Sequence, residues 1–447
     1  MPKLDRVLLI VLLLLHTFLF SACTSPPDLT GAQASLSSGS IGAGASRPAH
    51  QLAQSVFGKR VRAAIETSPE LAQSGTRVEI ASANQDAAMG AFLPQVSIGV
   101  NARSERIDSD IADVTPYLRV SQLVYDGGAA SGDLTAAQAR VLESRGDQLQ
   151  TASATALAAI EAYVVVLDRR KILNISKANL SAHEDLVGQI TERSAQGVGS
   201  LADVLAARSR MADARTRLAD ARTRLDRAEA QFHDVFGSLP GELPPPVAAP
   251  DLVRTDSQII MDSPQVRRAD AALLSARAEQ AATLARRQPA VQLAAFADRD
   301  DSNDANFGVD LSFNYELDST GQRRASITAA EARVTEAELA RESIIRDIRR
   351  ELEFIRADQQ AGAVRLQAAR VAAKANADSI AAAREQFTVG RRSLIEILDA
   401  QRDYVNAQER LILAEQNFFL TNYAALSLTG DILDMLDVSI PGWGGDL

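Results

Sequence analysis

TAAQARV at Thr135–Val141 returns as TAAEARV at Thr328–Val334, and that repetition decides the fold. The same interval of 193 residues separates Gly197 from Gly390, Ser200-Leu201 from Ser393-Leu394 and Gly237 from Gly430. Upstream the interval is 195: Ser68-Pro69-Glu70-Leu71 answers to Ser263-Pro264-Gln265-Val266, and Pro94 to Pro289. Only two residues are lost between Pro289 and Thr328, so the chain is one unit written twice. The divider is the Pro-rich stretch Leu239–Asp251, where no helix or central strand continues. This predicts a first repeat over 51–238, a linker over 239–256, a second repeat over 257–431 and a tail over 432–447.

Within each half the pattern reads helix, two strands, very long helix, turn, helix. The first helix stops by Pro94 or Pro289. In the second half Phe307, Val309, Leu311, Phe313, Tyr315 and Leu317 alternate with Gly308, Asp310, Ser312, Asn314 and Glu316. Period 2 gives such a strand one apolar and one polar face, and about 11 residues is the length of a tilted membrane strand. In the first half Val96, Ile98 and Val100 alternate well, whereas Leu118–Tyr125 mixes its faces. Helices then run without Pro from about Ser131 to Gln196 and from about Ala325 to Val389. At ~1.5 Å per residue each is a rod of roughly 100 Å. The first returning helix carries Val204, Met211, Leu218, Leu225 and Phe232 every seventh residue, interleaved with Ala207, Ala214, Ala221, Ala228 and Val235. Its twin carries Ile397, Tyr404, Leu411 and Phe418 beside Ala400, Ala407 and Ala414. A repeat of seven in 3/4 alternation is a coiled-coil seam, and Ala on one edge lets helices approach closely.

Composition agrees. Aromatics are 4% of 447 residues, which suits helices packed through small side chains better than a large aromatic core. The formal net charge of −10 offers phosphates no basic face and argues against nucleic acid. His16, His50, His183 and His233 are scattered without metal-ligand spacing, and one Cys allows neither an internal disulfide nor a Cys-based zinc site. No nucleophile elbow, phosphate loop or dinucleotide fingerprint occurs, so neither an enzyme nor a bound cofactor is expected.

Lys3 and Arg6 precede an apolar run from Val7 to Phe20, too short for a transmembrane helix and suited to a signal peptide over 1–22. The run ends Phe20-Ser21-Ala22-Cys23, with the chain's only Cys at the junction. This resembles a bacterial lipobox, which implies acylation of Cys23; Thr24 after it implies sorting to the outer membrane. Residues 23–50, rich in Ser, Gly, Ala and Pro, read as a flexible lipidated tether.

A strand in lipid has to pair on both edges, because unpaired backbone groups there cost several kcal/mol each. Four strands are too few to close a barrel, since small barrels use about eight. Several chains therefore have to pool their strands, with the apolar face toward lipid and Asp310, Asn314 and Glu316 toward water. The plainer alternative for the heptads alone, a soluble coiled-coil protein, leaves the signal segment and the amphipathic strands without a role.

At this point the chain resembles the TolC family of outer-membrane efflux and secretion proteins over roughly residues 52–435. The markers are the paired SP…P segments, YDGGAASGDLTAAQARV (Tyr125–Val141), GVGSLADVLAARSRM (Gly197–Met211) and FTVGRRSLIEILDAQRDYVNAQERL (Phe387–Leu411). The second Asp-Gly-Gly is altered to Asp318-Ser319-Thr320-Gly321. The resemblance implies a mainly α fold with a transmembrane β-barrel portion. Long helical hairpins would form a trimeric α-barrel tunnel, and four strands per chain a shared 12-stranded barrel. It also implies a periplasmic adaptor and an inner-membrane ABC exporter or proton-driven pump as partners. The turns Gln196–Leu201 and Thr388–Leu394 would be the periplasmic tips, where Gly197, Val198, Gly199, Ser200, Leu201, Gly390, Arg391, Ser393 and Leu394 meet the adaptor. Asp203, Arg392 and Phe387 match a gate of acid, Arg and aromatic, with Phe standing where Tyr is frequent. Glu396 and Asp399 match acidic positions facing the pore, where rings of carboxylates favour cations. Two channel roles share this body, type I protein secretion and small-molecule or metal efflux, and the wording of the motifs resembles the secretion branch more. A periplasmic coiled-coil scaffold without a pore is the alternative of another class.

Overall fold

The computed structural model describes residues 28–30, 33, 51–103, 113–249, 254–299, 305–438 and 440. The signal segment, Cys23 and nearly all of the tether lie outside them, as does the end of the tail. The described chain runs α1 (Gln51–Gln54), α2 (Val56–Glu66), α3 (Pro69–Met89), a 3-10 turn (Gly90–Phe92), β1 (Gln95–Arg103), β2 (Asp113–Tyr125), α4 (Ala129–Ala195) and α5 (Leu201–Phe236). It continues α6 (Asp256–Asp262), α7 (Pro264–Ala285), β3 (Ala290–Arg299), β4 (Ala305–Asn314), α8 (Gln322–Thr388), α9 (Leu394–Thr429) and α10 (Asp431–Leu436). Among these residues two compact units form: one gathers Gly75–Asp147 with Gln265–Ile344, the other Gln148–Pro264 with the chain from Ile345 onward and the helices before Ser74.

The expected single first helix is broken in both halves, into α1, α2 and α3 in the first and α6 and α7 in the second. Ser68 and Ser263 break it, and Pro69 and Pro264 open the next helix at the position where a missing N–H costs nothing. The Ser68 hydroxyl accepts from Leu71 N–H at 3.3 Å and donates to Glu70 at 2.6 Å, which caps α3.

In the first unit the four strands form one antiparallel sheet in the order β1-β2-β3-β4. Its register sorts the side chains. Ile98, Leu118, Ala297 and Phe307 lie across one row and Val96, Val120, Ala295 and Val309 across the next on that face. Ser97, Arg119, Phe296 and Gly308, then Gly99, Tyr117, Asp298 and Asn306, occupy rows of the opposite face. The apolar face is bare: Ile98 is 84% exposed, Phe307 80% and Val309 73%. On the polar face Arg119 stands 4.0 Å from Asp310 and 6.0 Å from the centre of the Phe296 ring.

Two expectations need correction. The mixed faces of Leu118–Tyr125 arise from a β-bulge: the register with β3 shifts between Leu123 and Tyr125, which leaves Val124 as the extra, exposed residue. β4 ends at Asn314, three residues short of the run read from sequence, so Tyr315, Glu316 and Leu317 are not strand residues. Asp318 stops it. Its carboxylate accepts from Arg323 N–H and Arg324 N–H, each at 3.1 Å, and draws the chain into the first turn of α8. Glu316 accordingly faces Arg323 at 4.0 Å and not a polar row of the sheet. In the first half Asp126 does the same for α4, accepting from Gly128 N–H at 2.9 Å and Ala130 N–H at 2.6 Å.

The second unit buries the seam of α5 along Val204, Ala207, Ala214, Ala221, Leu225, Ala228 and Phe232. In α9 Ile397 and Ala407 of the expected seam are buried, but Leu398, Val405 and Ile412 are buried beside them while Tyr404, Leu411 and Phe418 are only partly covered, so the core stripe drifts one residue later along the helix. The chain's sparse aromatics concentrate here. Phe57 meets Tyr163 edge-on at 4.8 Å, and Phe232 stacks on Phe236 at 4.1 Å. The Pro-rich linker is strapped across these helices. Tyr163 OH donates to Pro244 C=O (2.8 Å), Tyr423 OH to Val247 C=O (2.7 Å), and Arg170 to both Pro240 and Gly241 C=O (2.6 and 2.8 Å). The start of the tail packs back: Ile432, Leu433 and Leu436 are buried, and Asp437 pairs with Arg62 at 3.1 Å.

Candidate functional site

Both hairpin turns are built from backbone alone. At the end of α4, Gly197 sits at φ 77°, Val198 N–H donates to Arg193 C=O at 3.0 Å and Gly197 N–H to Ser194 C=O at 3.1 Å. At the end of α8, Gly390 sits at φ 76°, Arg391 N–H donates to Gln386 C=O at 2.8 Å and Gly390 N–H to Phe387 C=O at 3.0 Å. Each is a Schellman ending, whose left-handed residue is Gly because a side chain is strained there. Gly199 lies close over the backbone of Ser194, so the reversal is tight.

Ser200 and Ser393 then cap the returning helices. The Ser200 hydroxyl accepts from Ala202 N–H at 3.1 Å. Ser393 and Glu396 form a full capping box: Ser393 N–H and hydroxyl both donate to Glu396 at 2.8 Å, and Glu396 N–H donates back at 3.4 Å. The Ser393 N–H and then its hydroxyl hold the Glu396 carboxyl below the ordinary carboxylate range. Asp203 is the equivalent residue of the first turn, yet among the described residues its carboxylate makes no such bond.

The ends of both hairpins meet in one apolar cluster of Leu186, Ile190, Val204, Ala207, Ile380, Phe387, Leu394, Ile397 and Leu398. Phe387 is therefore a packing residue of this cluster, with the Arg193 guanidinium 4.9 Å from its ring centre. Arg193 also reaches Thr388 C=O at 3.5 Å. Asp203 and Arg392 are both half-buried, and no ion pair or hydrogen bond joins them within the chain. Asp399 pairs with Arg402 one turn on at 3.0 Å. Val198, Leu201, Val389 and Ile395 are exposed around the turns. Among the described residues no cluster of His, Cys, Asp and Glu could hold a metal.

Sequence reasoning missed a polar joint behind the cluster. Buried Gln401 accepts from Arg384 at 2.8 Å and donates to Asn179 at 3.0 Å, which ties α4, α8 and α9 together. It lines a groove of about 680 Å³ that also contains His183. Burial first, then Arg210 and Arg217, keep His183 below the usual imidazole value. One signal was available: Gln401 stands seven residues after buried Leu394, a polar side chain in an apolar phase.

Comparison with known proteins follows the same lines. The chain is 29% identical over 405 residues to the outer membrane efflux protein BepC of Brucella suis, covering 85% of this chain and 86% of that protein. The fold is that of a membrane protein from Pseudomonas aeruginosa (TM-score 0.76, 18% identity, 84% and 90% of the two chains). It is likewise that of the Campylobacter jejuni CmeC outer membrane channel (TM-score 0.75, 12% identity, 84% and 85%). The sequence profile of the outer membrane efflux protein family matches residues 61–238 and 257–429, one stretch in each repeat. With four strands, two long hairpins and both repeats matched, this chain belongs to the outer membrane efflux protein family.

Proposed function

We propose that this chain is one third of a trimeric exit duct, closed at its periplasmic tips by contacts between copies and opened by a periplasmic adaptor. The observation that carries the reading is the open four-stranded sheet, apolar and bare on one face, polar on the other, with β1 and β4 as edges. Bare edges in lipid are too costly to persist, and three copies supply 12 strands. Because Asp203 and Arg392 have no bond to each other within the chain, the gate pairs them across the copies. An ion pair open to the water of a pore is worth only ~0–1 kcal/mol, so three such pairs hold the tips together weakly enough for an adaptor to release them. The test is planar-bilayer conductance of the purified protein. Asp203→Ala/Arg392→Ala is expected to raise single-channel conductance, and unchanged conductance removes the gate assignment. A sample that carries no current at all supports the scaffold alternative.

For cargo, the motif wording supports type I protein secretion, which makes an ABC exporter the inner-membrane partner. The printed name of the Brucella relative supports efflux as the second reading. Deleting the gene separates them: loss of one secreted protein without drug or metal sensitisation supports secretion, and the reverse supports a proton-driven pump. The lipobox-like Phe20–Cys23 supports a lipid anchor. An N-terminal peptide whose mass lacks acyl chains excludes it.

A further inference from the structure

We propose that Gly99 and Gly308 set the width of the duct: each seats an aromatic ring flat on the polar face of the sheet, and a side chain at either position lifts that ring into the passage. The proposal rests on the duct reading above and names the residues that decide how bulky a cargo passes the strands.

Glycine is a poor strand residue, because it brings no side chain to pack and has more backbone freedom to lose. Gly99 and Gly308 nevertheless stand inside β1 and β4, each in the polar phase of the alternation. Neither is there to turn the chain, since neither has a positive φ. What they share is a ring. Tyr117 lies directly across from Gly99, and Phe296 directly across from Gly308. A Cβ on Gly99 would lie 2.6 Å from the Tyr117 hydroxyl oxygen and 2.8 Å from its Cε1. One on Gly308 would lie 2.5 Å from Phe296 Cζ and 2.8 Å from its Cε1. Carbon atoms in contact prefer about 3.5–4.0 Å, so both rings occupy the space that a side chain would take. The cover shows in the strands: Gly99 is half-buried between exposed Ile98 and Val100, and Gly308 between exposed Phe307 and Val309.

In each hairpin the ring comes from the inner strand and the glycine from the edge strand. The two pairs occupy neighbouring rows of one face, about 7 Å apart along the strands. Arg119 holds the second ring from the water side. From β2 its guanidinium crosses the Phe296 ring, with Cζ 6.0 Å from the ring centre, and reaches Asp310 on β4 at 4.0 Å. Phe296 thus lies between the wall and a cation, and Tyr117 lies on the wall one row away. A flat ring adds only its thickness to the wall. A ring that stands up adds its length, once in every copy around the duct. The atoms a new Cβ would strike are the free ends of two side chains, so the rings swing away and the strands keep their register.

The test reads passage through the strands and is blind to the periplasmic tips. Ser312 shares the polar face, two rows closer to α8 than the Phe296–Gly308 pair. A reagent entering from the far end of the sheet has to pass both rings to reach it. Ser312→Cys is labelled in intact cells with maleimide alone and with the largest polyethylene glycol maleimide that still reacts, and the parent protein is the blank for Cys23. Adding Gly99→Thr/Gly308→Thr is expected to slow the bulky reagent and leave the small one unchanged, since Thr suits a strand facing water. Further adding Tyr117→Ala/Phe296→Ala is expected to restore the rate. Equal rates with Gly and with Thr overturn the proposal and leave the duct reading standing. Slowing that survives removal of the rings also overturns it, because the strands and not the rings are then responsible. Tyr117→Ala/Phe296→Ala without Thr is expected to leave the bulky reagent unchanged, and a faster rate means that the rings already stand in the passage. Failure of both reagents to label Ser312→Cys removes the duct reading, and this proposal with it.

Discussion

Glu396 and Asp203 stand at the same place in the two repeats, the third residue after a capping Ser, and differ by one methylene. Glu396 reaches back to Ser393 and closes a capping box, whereas Asp203 does not reach Ser200 in that way. The longer acid is committed to its own helix end, and the shorter one makes no such bond among the described residues. A pH dependence follows. The Glu396 carboxyl is held below its ordinary value, so its stabilisation is present above about pH 4.3 and lost as pH falls through the lower folded value. Amide exchange at Ser393–Ile397 is expected to accelerate as pH drops below about 4 relative to the intrinsic rate. Glu396→Gln keeps the geometry without the charge and is expected to remove that acceleration. Persistence in the variant assigns the titration to another group.

The elements were legible in proportion to how local their causes are. Both long helices, both turns and the clean alternation of β4 follow from residues near one another in sequence, and the structure has them within a few residues. The misread parts depend on distant partners. The mixed pattern of β2 was a bulge set by its register with β3; the end of the β4 pattern is the exception, lost to a local cap at Asp318, the residue after Leu317. The Gln401–Asn179 bond joins residues 222 apart, and Arg193 over Phe387 joins the two repeats, so neither has a local signature. The approach of α7 to α4 is the element-scale feature most exposed to mutation. Gly146→Leu forces a side chain into the backbone of Arg268, and overpacking of this kind costs about 1–3 kcal/mol. A lowered urea midpoint in detergent is the expected result; an unchanged midpoint means the helices part without cost.

At the scale of the molecule, the sheet sets the environment. Its alternating rows make one face suited to lipid and the other to water, and this predicts opposite tolerances one residue apart. Leu311→Arg on the apolar face is expected to cost about 2–4 kcal/mol near the bilayer midplane, while Ser312→Arg on the polar face costs little. Folding yield into lipid vesicles, followed by the gel shift of the folded form, measures both. Equal yields contradict the assignment of faces.

The strapped linker has a mechanical consequence. Tyr163, Arg170 and Tyr423 tie Pro240–Val247 to α4 and α9 through four hydrogen bonds to carbonyls, which makes a strap across the helices there. From Tyr163 to Gly197 the helix extends for about 50 Å at ~1.5 Å per residue. A hairpin pivoting by about 5° at such a fulcrum sweeps its far end through about 4 Å. That is enough to part side chains in contact, and none of the four bonds at the strap has to break.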